Sequence, residues 1–178
     1  MARPGDLVVI GAGAWGLWAA WAGLARGLAV TLIEREEAGS GASGGPVGAL
    51  APHAPERWGP ESAFQMRALD GLGAALAAVE ATGGERSGYG RVGCLQPLAT
   101  PQRRARAEAR VAEAARLWGA GRARILPADA APGWVAPEAA PFGLLHDDLT
   151  ARLDPPATCR ALLAACRARD VCYLPGTE

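Results

Sequence analysis

Apolar positions follow two different periods along the chain. Asp6–Ile10 (DLVVI) and Leu28–Ile33 (LAVTLI) are short runs of aliphatic and β-branched residues, the pattern of strands fully buried in a sheet. Between them, Ala14–Arg26 holds only small and apolar residues up to its last position and is followed by Gly27, which reads as a helix ended by a glycine. Strand, helix and strand within roughly 30 residues predict a parallel pair with a right-handed crossover. Residues 36–60 (EEAGSGASGGPVGALAPHAPERWGP) read as loop. Helical periodicity returns over Glu61–Ala81, where Leu69, Leu72, Leu76 and Val79 share one face. A short strand is expected near Arg91–Leu98. Pro101–Trp118 reads as an amphipathic helix, with Val111, Ala114, Ala115 and Trp118 inward. Its outer face carries Arg103, Arg104, Arg106, Glu108, Arg110 and Glu113, a pattern that fits a solvated surface. Proline-rich residues 127–141 predict an irregular excursion. A strand at Phe142–His146, a helix at Pro155–Arg169 and a strand at Val171–Leu174 complete the pattern. In that last helix Cys159, Leu162, Leu163 and Cys166 face inward. No internal repeat is visible.

Composition narrows the class. The 178 residues are half apolar, enough for a real core, and 18 basic groups balance 18 acidic ones. Every basic residue is arginine, and no asparagine occurs, which reads as codon bias in a GC-rich genome. The absence of a basic excess argues against nucleic acid as a partner. Residues 7–33 carry one charge, Arg26, and approach the length of a membrane span; Arg3 ahead of them resembles the start of a signal peptide. Gly11, Gly13 and Gly16 interrupt that run where a spanning helix needs continuity, so neither membrane nor export is the reading. Cys94, Cys159, Cys166 and Cys172 form no C-x-x-C, and only two histidines accompany them. A metal site is not expected, and reduced thiols in the cytoplasm are.

The chemistry lies in the first glycines. VVIGAGAWG places G-x-G-x-x-G where the first strand turns into the first helix. Gly11 permits the tight turn, Gly13 lets backbone approach a pyrophosphate, and Gly16 lets the helix pack close to the strands. Amide groups and the helix dipole then face an anion. Glu34, ending the second strand, can accept both hydroxyls of an adenosine ribose and would repel a 2′-phosphate, which disfavours NADP. A second flexible segment, GSGASGGPVGALAP, follows it. Taken alone it reads either as a surface linker or as a loop laying Ala42 and Ser43 along a pyrophosphate and Gly48 edge-on to a flat ring.

IGAGAWG, then IERE, then GASGGPVGALAPHAPE, together resemble the D-amino-acid oxidase family of flavoenzymes, within it the glycine oxidase and sarcosine oxidase branch. The later RLDPPATCRALLAACRARDV is similar to the family's return from substrate domain to flavin domain. The resemblance implies an α/β fold: a Rossmann-like FAD-binding parallel sheet with the beginning of an α+β substrate domain. On that pattern residues 1–60 form the FAD-binding βαβ unit and flavin loop, 61–150 part of the substrate domain, and 151–178 the return segment.

The resemblance further implies FAD as cofactor. The backbone at Ala14 and Trp15, after Gly11 and Gly13 and before Gly16, would touch the diphosphate. Glu34 would touch the adenosine ribose, Arg35 would lie beside the adenosine, and Ala42 and Ser43 would lie along the diphosphate. Val47, Gly48 and Ala49 would approach the isoalloxazine. The Trp15 side chain departs from the usual turn and is expected to pack on Trp18. Relatives oxidise the C–N bond of an amino acid or secondary amine, with the flavin taking a hydride. No catalytic side chain is therefore assigned. His53 is the better site candidate of the two histidines, Arg57 is a weak carboxylate candidate, and Asp147 with Asp148 reads as a turn rather than a metal pair. The complete family fold needs about twice this length, so the chain is expected to be its N-terminal portion. The expected partners are a small amine or amino acid and a complementary C-terminal half or a second copy. Two alternatives stay open: an FAD-binding module completed by a partner chain, and a flavin-dependent tRNA-modifying oxidase domain.

Overall fold

The computed structural model describes residues 5–177; Arg3 and the terminal Glu178 lie outside the described residues. The chain forms β1 (Leu7–Ile10), α1 (Ala14–Leu24), β2 (Val30–Glu34), β3 (Gly48–Leu50), α2 (Pro60–Gly83), β4 (Gly90–Arg91), β5 (Cys94–Pro97), α3 (Pro101–Leu117), β6 (Ala123–Leu126), β7 (Leu144–Asp147), β8 (Ala151–Leu153), α4 (Pro155–Arg167) and β9 (Cys172–Pro175). Three-residue 3₁₀ turns sit at Ala42–Gly44, Pro55–Arg57 and Pro137–Ala139. Two compact units result. One holds the chain up to Ala49, Leu72–Gly90 and the segment from Arg152; the other holds Leu50–Gly71 and Arg91–Ala151.

The first unit is built on a parallel sheet in the order β1-β2-β9. Val9 pairs with Leu32, and Leu32 with Tyr173, so these three side chains lie on one face of the sheet. That face packs against α1 and α4 in one core, where Leu17, Leu32 and Leu162 are fully buried. Each such leucine contributes roughly 1.5–3 kcal/mol. The other face carries Val8, Ile10, Ile33 and Leu174 in register. Here the structure corrects the expectation of a fully buried first strand. Val8 is 54% and Ile10 84% exposed, because helices cover one face of this sheet only and β1 is its edge.

The second unit is built on an antiparallel sheet, β5-β7-β6. α3 begins at Thr100, whose hydroxyl accepts from the Arg103 N–H at 3.2 Å, with proline in its first turn. Leu98, Ala107 and Leu145 pack together where α3 meets the sheet. Met66, Leu69, Ala114, Trp118 and Leu149 form a second cluster. Ala115, expected to face inward, is exposed. The single strand expected at Arg91–Leu98 is two. Gly93, at φ +74°, breaks it, and a Cβ there would strike the Asp147 carbonyl. A third, small sheet orders its strands β3-β8-β4. α2 runs through both parts of the chain, its stripe supplying Leu69 to one core and Val79 to the other.

Candidate functional site

The turn from β1 into α1 is built from its glycines. The Gly11 N–H donates to the Ile33 carbonyl at 2.8 Å, continuing the β1–β2 pairing, and Gly11 then turns at φ +94°. A Cβ on Gly16 would run into the Gly11 carbonyl oxygen, so α1 starts as close to the strand as backbone allows. Gly13 is the N-cap of α1 and offers no capping side chain. The Ala14 N–H instead donates to the Ser43 hydroxyl at 2.9 Å, from the 3₁₀ turn Ala42–Gly44. Ser43 thus brings the second glycine segment onto the amino end of the helix, where unpaired amides gather.

Glu34 points back at the same loop. One carboxylate oxygen accepts from the Ala12 N–H at 2.7 Å and the other from the Glu36 N–H at 3.0 Å. These bonds, Glu36's first, hold the carboxyl below its ordinary range against a smaller opposing effect of burial. Glu34 is therefore an anchored anion with lone pairs to spare. Beside it opens a cavity of about 400 Å³ lined by Ile10, Gly11, Ile33, Glu34, Arg35 and Thr177. It lies at the carboxyl ends of parallel strands, the usual place for a ligand in such sheets. The Thr177 N–H donates to the Glu34 carbonyl at 3.0 Å, which sets this residue beside the cavity.

A family model described as FAD dependent oxidoreductase, DAO, matches residues 6–178. The chain belongs to the DAO family. Its fold matches that of about half of each of several solved oxidases. It is similar to glycine oxidase from Geobacillus kaustophilus (TM-score 0.81, 18% identity), covering 99% of this chain and 48% of that one. It is also similar to iminodiacetate oxidase from Chelativorans sp. BNC1 (TM-score 0.74, 23% identity, 96% and 46% covered). The chain thus spans about half the length of the structures it matches. Among curated proteins it resembles the tRNA 5-methylaminomethyl-2-thiouridine biosynthesis bifunctional protein MnmC of Psychrobacter cryohalolentis. That likeness is 46% identity over 50 residues, 28% of this chain and 7% of that protein.

Within this DAO-family chain, Gly11, Gly13, Ala14, Gly16, Glu34, Arg35 and Ser43 converge on one corner of the first unit. Ala42 sits exposed in the Ser43 turn, and the exposed Arg35 side chain forms a surface ion pair with Glu36 at 3.4 Å. Val47 is 79% exposed, Ala49 is exposed, and Gly48 lies against Leu153. Trp15 corrects the expectation that it packs on Trp18: Trp18 joins the core while the Trp15 side chain is 92% exposed. Ile10, Ile33 and Thr177 were missed by motif reading. The rule that ligands sit beyond the carboxyl ends of strands would have found Ile10 and Ile33.

The remaining candidates belong to the second unit. His53 Nδ1 lies 3.2 Å from the Ser62 hydroxyl, and the Arg57 carbonyl accepts from that hydroxyl at 3.4 Å. Asp147 accepts from the N–H groups of Leu149 at 3.1 Å and Thr150 at 2.7 Å, which is a turn. Among the described residues no three metal-ligating side chains gather, and no helix is long and apolar enough to cross a membrane.

Proposed function

We propose that the first unit binds FAD and that the chain serves an oxidase acting on the C–N bond of an amino acid or secondary amine. The observation that carries this reading is the Glu34 carboxylate, hydrogen-bonded to the glycine-loop amide and set beside a cavity at the strand ends. The corner suits the group. The Gly13 position has no side chain where a diphosphate needs room, the amino end of α1 favours its charge, and Glu34 offers acceptors to ribose hydroxyls. In this reading Ala14 and Trp15 contribute backbone amides, Ala42 and Ser43 flank the diphosphate, and Arg35 lies beside the adenosine. Val47, Gly48 and Ala49 approach the flavin ring, and the second unit is the start of a substrate domain. Bound flavin would supply the two-electron acceptor for amine oxidation. The chain's own contribution is to hold and orient the cofactor.

The amine substrate and a polypeptide supplying the other half of the fold are the proposed partners. The exposed Val8 and Ile10 on edge strand β1 support the latter, since a parallel sheet normally has both faces covered. The free cysteines fit a reducing compartment such as the cytoplasm. An oxygen-electrode assay with FAD and glycine, sarcosine or D-amino acids tests the division of labour. No turnover is expected from this chain alone. Amine-dependent turnover by a monomer would show that these residues suffice for catalysis.

A further inference from the structure

We propose that the groove between α3 and β5 in the second unit binds a small phosphate monoester. The groove encloses about 470 Å³, within the usual size of a small-molecule site. Leu98, Ala107 and Leu145 close its floor. Its rim is Arg103, Arg106 and Arg110, on one face of α3 at three- and four-residue steps. Along the axis those steps are about 4.5 and 6 Å, so several guanidinium groups can converge on one anion.

Charge distinguishes these arginines from their neighbours. Arg104 bonds Glu108 at 2.7 Å and also donates to the Phe142 carbonyl at 3.0 Å, while Arg116 bonds Glu113 at 2.8 Å. Arg110 is offset by Glu56 at 2.8 Å. Arg103 and Arg106 have no acidic partner among the described residues. The rim therefore keeps about two positive charges after Arg110 and Glu56 cancel. Placing Arg103 in the first turn of α3, which holds no acidic residue, opposes the helix dipole and so costs helix stability. A phosphate monoester carries close to two negative charges above its second pKa of about 6 and offers three acceptor oxygens. Guanidinium forks match that geometry in pairs. A monocarboxylate would leave half the charge unmet. Exposed Gln96 on β5 adds an amide donor at the rim.

This site is independent of the dinucleotide corner, and its test separates the two. The full chain is titrated with phenyl phosphate above the phosphate's second pKa, followed by calorimetry and by amide chemical shifts. Saturable binding is expected, with shifts at Leu98, Ala107 and Leu145. The double variant Arg103→Gln, Arg106→Gln should weaken it by at least tenfold, about 1.4 kcal/mol. Arg116→Gln, removing an already paired arginine, should leave it unchanged, and phenol should not compete. No saturable binding, equal affinity in the double variant, competition by phenol, or shifts confined to the glycine loop around Gly13 would each overturn the proposal.

Discussion

Replacing Gly13 by valine separates cofactor binding from folding. Gly13 has φ −78° and ψ −177°, extended backbone that any residue adopts. A Cβ there would meet only the Ser43 hydroxyl, at 3.2 Å, and the far end of a serine side chain can move. Loss of the Ala14–Ser43 hydrogen bond costs about 0.5–1.5 kcal/mol, and valine as N-cap adds about 1 kcal/mol. The total is small beside a typical stability of roughly 5–15 kcal/mol. Two methyl groups would nevertheless fill the space a diphosphate needs. Losing two charge-assisted amide bonds, at about 1.5–3 kcal/mol each, lowers FAD affinity by about 10²–10⁴-fold. Gly16→Ala should do the reverse damage. Its Cβ collides with the Gly11 carbonyl, which cannot move without β1, so stability falls by about 1–3 kcal/mol or more. Flavin titration beside urea unfolding reads both effects. A folded Gly13→Val protein with wild-type FAD affinity would refute the cradle.

Three further outcomes follow from burial and charge. The Glu34 carboxyl titrates below its unfolded value of 4.5, so its stabilisation is complete above that pH and is lost as pH falls through the lower folded value; Glu34→Gln should flatten this part of the acid-unfolding curve. Leu32→Ala, at a fully buried position, should cost about 2–5 kcal/mol, whereas Val8→Thr on the open face should change stability by less than about 0.5 kcal/mol and reduce self-association on a sizing column. Cys166, its thiol pushed up to about 11 by burial, should resist iodoacetamide at neutral pH in the native protein and react on unfolding; early labelling there would contradict its packing.

The parallel sheet, the four helices and the glycine turn were legible because local pattern and tertiary role agree there. G-x-G-x-x-G lies where a β-branched run ends, and both requirements, tight turn and close helix, act on the same residues. The strands that escaped notice are short and depend on partners. Ala123–Leu126 has an arginine at its second position and gains strand character by pairing Ile125 with Leu145 on β7. Gly48–Leu50 lies inside a glycine-rich segment that carries no strand signal of its own. Exposure of Val8 and Ile10 does not follow from the apolar run itself, which specifies what a strand can bury and not which neighbours cover it; it follows from a parallel sheet that lacks some of its expected neighbours. Thr177 stands beside Glu34 only because β9 pairs parallel with β2, a relation between segments far apart in sequence.

The central claim is that the corner formed by Gly11, Gly13, Ser43 and Glu34 is a site for FAD. Calorimetric titration of the purified chain with FAD, FMN, NAD and NADP tests it most directly. FAD should bind tightest. FMN should bind poorly because it lacks the adenosine that Glu34 receives, and NADP poorly because its 2′-phosphate meets the same carboxylate. Tighter binding of NAD or NADP than of FAD, or FAD affinity unchanged by Glu34→Ala, would contradict the assignment.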